Sequence, residues 1–243
     1  MRKAILVLCA AGCGGGTATP VDASIDAPPA CMTPAGAGTT HQSTINASET
    51  WTAAQSPHVI PNDIIINAAV TLEPCALVRM APAVTVTLGS GGSLDAEGTA
   101  AQPILIQARD AGTHWAAIRA IGGTLRLIHT TVDGGGNPGN AVATLVGALD
   151  VRGNQSQPTQ EILHAEFLTV SGSASQGLYM HEGGGFSAAS HDVRVTGSAG
   201  YPLHMWARSR HAADRRLHRK RHRRDPGDGQ RRLCFGPGGH DVA

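Results

Sequence analysis

With 243 residues and 41% apolar content, the chain has room for one sizeable domain plus tails and enough apolar side chains for a core. Aromatic residues make up only 3%, against 31 glycines, which favours short strands and turns over a helical bundle. The net charge of +1 averages two opposed regions: 11 of the 19 Lys and Arg residues lie between Arg208 and Arg232, while Gly14 to Ala207 holds six basic residues against 14 acidic ones, a net −8 that makes this body a poor match for nucleic acid.

The first element is an address. MRKAILVLCAAGC has a positive start (Arg2, Lys3), a short apolar stretch from Ala4 to Leu8, and Ala10, Ala11 and Gly12 before Cys13. The apolar run is far shorter than the ~20 residues that span a bilayer, so it reads as a secretory signal. Small residues directly before a cysteine resemble a bacterial lipoprotein signal, with Ala10 where that pattern usually has Leu. The resemblance implies lipidation at Cys13, so that residues 1–13 form the signal and anchor. Ordinary signal cleavage at the same Ala/Gly cluster is the alternative. Residues 14–38, rich in Gly, Pro, Thr and Ala without apolar periodicity, then form a solvated tether. Cys31 and Cys75 are available to bridge the end of the tether to the start of the domain in an oxidising compartment. Neither belongs to a CxxC pair, so no zinc pattern arises, and Cys234 has no evident mate.

From Thr39 to Ala207 the chain offers β-branched runs between Gly-rich turns: VIPNDIIINAAVTL, AVTVTL, PILIQA, TLRLIHTTV, ALDVRG, EILHAEFLTV and HDVRVTG. Gly91-Gly92-Ser93-Leu94 recurs as Gly122-Gly123-Thr124-Leu125 and as Gly183-Gly184-Gly185-Phe186. LIHTTVDGGG, AEFLTVSGS and SHDVRVTGS superpose on Val132, Val170 and Val195, and a further repeat interval runs from Leu72 to Leu94. Repeats of this length separated by loops of varying size predict a solenoid. Val84/Val86/Leu88, Ile104/Ile106, Leu125/Leu127 and Val193/Val195 alternate as inward-facing sets. A β-sandwich would show similar alternation, but Asn-Gly hairpin turns are missing; a disordered Gly/Thr-rich chain would lack such regular apolar runs.

SGGSLDAEGTAAQPILIQARDAG followed by HWAAIRAIGGTLRLIHTTVDGGG resembles the right-handed parallel β-helix of the pectate-lyase-like superfamily, particularly its non-enzymatic bacterial surface lipoproteins. Leu94, Gly98 through Ile104, and Trp115 with Ile118 carry the likeness. It implies an all-β, right-handed parallel β-helix solenoid over 39–207. The motifs are architectural and specify no reaction.

Candidate chemistry is sparse. A lyase on this fold needs carboxylates gathered on one face for Ca²⁺ and a basic residue to take a proton. Aligning on the three valines puts Asp133 with Ser171 and Thr196, and His129 with Phe167 and Asp192, so no acidic column emerges. Arg126, Arg152 and Arg194 read as ion-pair or solvated residues. Asp133, Asp150, Glu161, Glu166 and Glu182 supply carboxylates for a glycosidase pair, but no spacing selects one. His129, His164, His181 and His191 form no ligand motif and read as surface or turn residues. No GxSxG elbow supports a serine triad, and DGGGNPGN lacks the Lys-Ser/Thr of a phosphate loop. No catalytic residue, metal ligand or cofactor is assigned.

Residues 208–243 read as a basic disordered tail that begins abruptly after YPLHMWA, where the β-helix pattern is still running. Runs of Arg, His, Pro and Gly are what GC-rich DNA yields in a wrong frame. A one-base shift through codons permitted for 210–229 spells GTLPTGGYTGNATDEILVTG, a strand-like continuation. The expectation is therefore a β-helix truncated at its C-terminus, with an open last coil and a tail unable to pair a strand edge. Together these readings describe an exported, lipid-anchored bacterial cell-envelope protein, at the outer membrane or cell surface, with a non-catalytic surface or carbohydrate-contacting module. Its expected partners are the membrane, through the lipid, and polysaccharide, with no nucleic acid. The alternatives are a polysaccharide lyase or glycoside hydrolase on the same fold, and an anionic-polymer binder acting through the tail.

Overall fold

The computed structural model describes residues 30–137, 147–154 and 160–206, together with the backbone of 231–233. The chain winds through three faces in a fixed order. A partial first coil holds β1 (Thr39–Thr40) and β2 (Glu49–Trp51), with Ile45 bridging to Ile66 between them. Five full coils follow: β3 (His58–Ile60), β4 (Ile64–Ile66) and β5 (Ala69–Leu72); β6 (Leu77–Met80), β7 (Thr85–Leu88) and β8 (Ser93–Glu97); β9 (Ile104–Ala108), β10 (Ala117–Ile121) and β11 (Thr124–Ile128); β12 (Thr130–Asp133), β13 (Gly147–Arg152) and β14 (Gln160–Glu166); β15 (Thr169–Ser171), β16 (Gln176–His181) and β17 (Gly184–Phe186). β18 (Val193–Thr196) and β19 (Leu203–Met205) begin a last one.

Equivalent strands stack in parallel. The first strands of successive coils form an eight-stranded sheet that also takes in β20 (Arg231–Leu233), and the second and third strands form sheets of six each. The fold is an all-β parallel β-helix. A sandwich would require antiparallel hairpins, whereas among the described residues only the β18–β20 pair runs antiparallel.

The interior is filled rung upon rung. In the first sheet Val78, Ile106, Val132, Val170 and Val195 stand in one register, which includes the alignment of the three valines expected from sequence. In the second, Ile64, Val86, Ile118, Leu149, Leu178 and Leu203 do the same; in the third, Val70, Leu94, Leu125, Leu163 and Phe186. The interval read from Leu72 to Leu94 is two residues out, because Leu94 pairs with Val70 and Leu72 with Ala96. Alternation preserves the face under a two-residue slip, so hydrophobicity alone could not fix that register. Each fully buried Val, Leu or Ile contributes roughly 1.5–3 kcal/mol, and in a solenoid this adds coil by coil through neighbours.

The Gly-Gly repeat is the corner between the second and third sheets. Its first glycine is left-handed in each copy, with φ of 85° at Gly91, 81° at Gly122 and 83° at Gly183. Its second lies against the coil below: a Cβ on Gly92 would stand 2.0 Å from the Ile66 carbonyl oxygen. A disulfide joins Cys31 to Cys75 with 5.2 Å between their Cα atoms, closing a span of 44 residues around the first coils. Closing a loop of that size restricts the unfolded chain by about 4 kcal/mol in the chain-entropy estimate.

One expectation fails at the other end. The backbone of Arg231–Leu233 pairs with β18, Val193 opposite Leu233 and Val195 opposite Arg231. Ladder hydrogen bonds are made by backbone groups, so a chain rich in arginine can still occupy an open edge. The remainder of 208–243, and residues 1–29 with Cys13, lie outside the described residues.

Candidate functional site

The second sheet presents its outer face as two columns. Thr87, Arg119, Asp150, Tyr179 and His204 form one, and Ile121, Arg152 and His181 form the other. Trp206 continues the second, its backbone N–H bonding the Met180 carbonyl. Stacking coils thus bring together residues some 30 positions apart in the chain. Arg119 Nε donates to Asp150 Oδ2 at 2.7 Å, and His181 Nε2 donates to Asp150 Oδ1 at 2.7 Å. Arg152 Nε lies 3.6 Å from Glu182 Oε2, and His181 Nδ1 lies 3.8 Å from Glu182 Oε1. Arg152 Nε is also 3.4 Å from His181 Nε2, but that nitrogen's proton is committed to Asp150, so the guanidinium rests against the ring without bonding to it. Tyr179 stacks on His181 with centroids 4.5 Å apart and meets His204 edge-on at 5.2 Å; Tyr201 meets His204 at 5.8 Å.

Burial sorts these groups by role. Asp150 and His181 are buried, at 2% and 4% exposure, while Tyr201 and Trp206 stand open at 60% and 45%. Burial pushes the Asp150 carboxyl up, but hydrogen bonds from His181 and Arg119 and the Arg119 charge outweigh it and hold the group below the ordinary carboxylate value. Asp150 is therefore an ionised anchor that orients Arg119 and His181, and is unsuited to donate a proton. Burial raises the Tyr179 hydroxyl, with the Asp150 and Glu182 charges acting in the same direction. The face offers a buried ionic base, half-exposed donors and acceptors in Arg119, Arg152 and Glu182, and an aromatic rim. His204 Nδ1 is buried with no hydrogen-bond partner among the described residues.

Two other clusters occur. On the third sheet, Ser187 Oγ lies 2.8 Å from His164 Nδ1, and His164 Nε2 lies 2.6 Å from Glu166 Oε1. This has the order of a serine relay but not its surroundings. The Ser187 N–H bonds the Leu163 carbonyl, the Ala188 N–H bonds Glu161 Oε1, and the His191 N–H bonds the Ala165 carbonyl, leaving none of these donors for an oxyanion. At the N-terminal end, Trp51 stacks on His41 at 4.2 Å and on His58 at 5.3 Å. His58 Nε2 donates to the Thr52 carbonyl and His58 Nδ1 accepts from His41 Nε2 at 3.1 Å. Burial lowers both histidines below their ordinary value, and both act as neutral packing in the first coils.

The residues considered from sequence scatter across the three faces. Arg126 pairs with Glu97 on the third sheet and Arg152 with Glu182, both as ion-pair partners, while Arg194 stands in β18 beside the paired tail segment. Asp133 accepts from Ser171 Oγ at 2.6 Å, while Glu161 and Glu166 belong to the third sheet. His129 stacks on Phe167 at 4.5 Å in a corner column, as their alignment suggested, and His191 lies near Glu166 and Asp192. His181 overturns its expectation: it is a buried ligand of Asp150, because outward positions of the second sheet lie under neighbouring side chains. Arg119, Tyr179, Tyr201, His204 and Trp206 were missed altogether. One signal could have found part of them: Leu178 lies eight residues after Val170 and Leu203 eight after Val195, which places Tyr179 over His204. No group of three His, Cys, Asp or Glu placed to hold a metal occurs among the described residues, nor is any helix there long and apolar enough to cross a membrane. Comparison of the chain with protein-family models, curated proteins and solved structures finds no match.

Proposed function

We propose that this chain is an exported bacterial envelope protein, anchored by lipid at Cys13, whose β-helix presents a non-catalytic glycan-contacting face. The observation that carries the contacting role is the second sheet's outer face, where open Trp206 continues the column of Arg152 and His181 and open Tyr201 meets His204 edge-on. Aromatic rings match the apolar C–H faces of sugar rings, and fixed charged groups match their hydroxyls. The anchor rests on the Arg2-Lys3 start and the Ala/Gly cluster before Cys13, followed by a solvated tether.

Of the three tryptophans, Trp51 is 2% exposed, Trp115 0% and Trp206 45%, so tryptophan emission reports on this face. Titration with soluble bacterial-surface and plant polysaccharides is expected to shift that emission saturably for at least one polymer. Trp206→Ala should abolish the shift while preserving the circular dichroism spectrum. A flat titration across the panel would dismiss the contacting role. Independently, labelled fatty acid fed to the expressing bacterium should enter the protein and fail to enter Cys13→Ser; equal labelling of both would remove the anchor.

A second reading, polysaccharide cleavage on this face, is favoured by one observation, an imidazole held between Asp150 and Glu182. An ionised, doubly bonded Asp150 leaves Glu182, among the described residues, as the carboxyl near enough to act as acid. Release of reducing ends or of unsaturated products during the same titration would establish it.

A further inference from the structure

We infer that the polymer held by this face is a neutral glycan and not an acidic one; the inference rests on the glycan-contacting reading. Among the described residues the face carries two cations and two carboxylates, and they cancel in pairs. Arg119 is committed to Asp150 at 2.7 Å and Arg152 faces Glu182 at 3.6 Å. A sugar carboxylate gains most from a bidentate guanidinium. Arg119 Nε is already held by Asp150, so a sugar carboxylate brought to the rest of that guanidinium meets a buried ionised carboxylate beside it, whose charge already answers the cation. To take Arg152 the sugar carboxylate must approach Glu182, a like charge.

A hydroxyl meets no such conflict. It both donates and accepts, so the Arg152–Glu182 pair, 36% and 28% exposed, can receive one hydroxyl's oxygen at the guanidinium and another's proton at the carboxylate without either charge being stranded. Trp206, next in the same column, then takes the apolar face of a sugar ring. Arg119 and Trp206 are separated by three inter-strand steps, or ~14 Å at the usual spacing, which suits an oligosaccharide lying across the coils more than a single sugar. Glu182 itself has a left-handed backbone, φ 52°, at a corner position that the neighbouring coil fills with Gly153 and the next with Gly122. A glutamate held there against its conformational preference is consistent with a side chain kept for contact.

The test uses matched polymers. Soluble glucans, mannan, xylan and galactan are titrated into the full-length protein, each hexose polymer also after selective oxidation of its primary alcohols to carboxylates, at about 20 and about 300 mM salt, roughly a fourfold change in screening length. The expected result is binding of a neutral polymer at least about 10-fold tighter than its oxidised form, with little salt dependence, in keeping with a contact made without net charge. Glu182→Gln, which frees Arg152, should narrow that preference several-fold by strengthening binding of the oxidised polymer. Preference for the oxidised form, weakening with salt, would overturn the inference and leave the glycan-contacting reading standing. Equal affinity for both forms would also overturn it. Binding of neither form of any polymer would overturn both.

Discussion

At the scale of single residues, His41, His58 and Asp150 are each placed so that one charge state is favoured. His41 and His58 share a hydrogen bond against Trp51 and are held neutral by burial, which lowers both below the ordinary 6.5, more strongly than the nearby Glu49 charge favours protonation of either. Below 6.5 the unfolded chain takes up protons that the folded chain refuses. Stability is therefore full above 6.5 and is lost as the pH falls from there toward the folded-state values. Denaturant midpoints at pH 7.5 and 5.5 should show a loss on acidification. His41→Asn should reduce that loss, and amide exchange over 39–60 should rise before that over the central coils. An unchanged midpoint would contradict the neutral pair. Asp150 follows the opposite rule: its depressed value stabilises the fold above the ordinary carboxylate range and is lost only at strongly acid pH.

At the scale of elements, the corner between the second and third sheets decides whether coils can stack at all. Gly92→Ala forces a Cβ against the Ile66 carbonyl oxygen, and since that atom is backbone, the coil below must shift. The expected penalty is about 2–3 kcal/mol, read as a lowered thermal midpoint. Ser90→Ala, at an exposed position in the same corner, should cost less than about 0.5 kcal/mol. These corners, and the rung of Val132, Val170 and Val195, were legible in the sequence because steric need repeats the same short residue patterns in successive coils, whatever the loop length between them. The functional face was not. Its strands follow loops of different length, so Arg119, Asp150 and Tyr179 share no constant offset from the first sheet. Outward side chains also obey no apolar rule, which is why His181 read as a surface residue and the Ser187–His164–Glu166 cluster was unforeseen.

At the scale of the whole molecule, an acidic solenoid is joined to a basic end, and the two regions favour opposite partners. Every rung from β1 to β19 pairs in parallel, whereas Arg231–Leu233 joins β18 antiparallel, an edge contact of another kind. A polymer recognised by the tail would be anionic and would bind with a steep salt slope; one recognised by the coils would lie across strands from three or four turns. Hydrogen–deuterium exchange of the full-length protein, with and without the polysaccharide that shifts Trp206 emission, separates the two most directly. The expected result is added protection confined to β10, β13, β16 and the segment from Leu203 to Trp206. Protection over 208–232, or over the outer strands of the first or third sheet with the second unchanged, would contradict the assignment of function to this face.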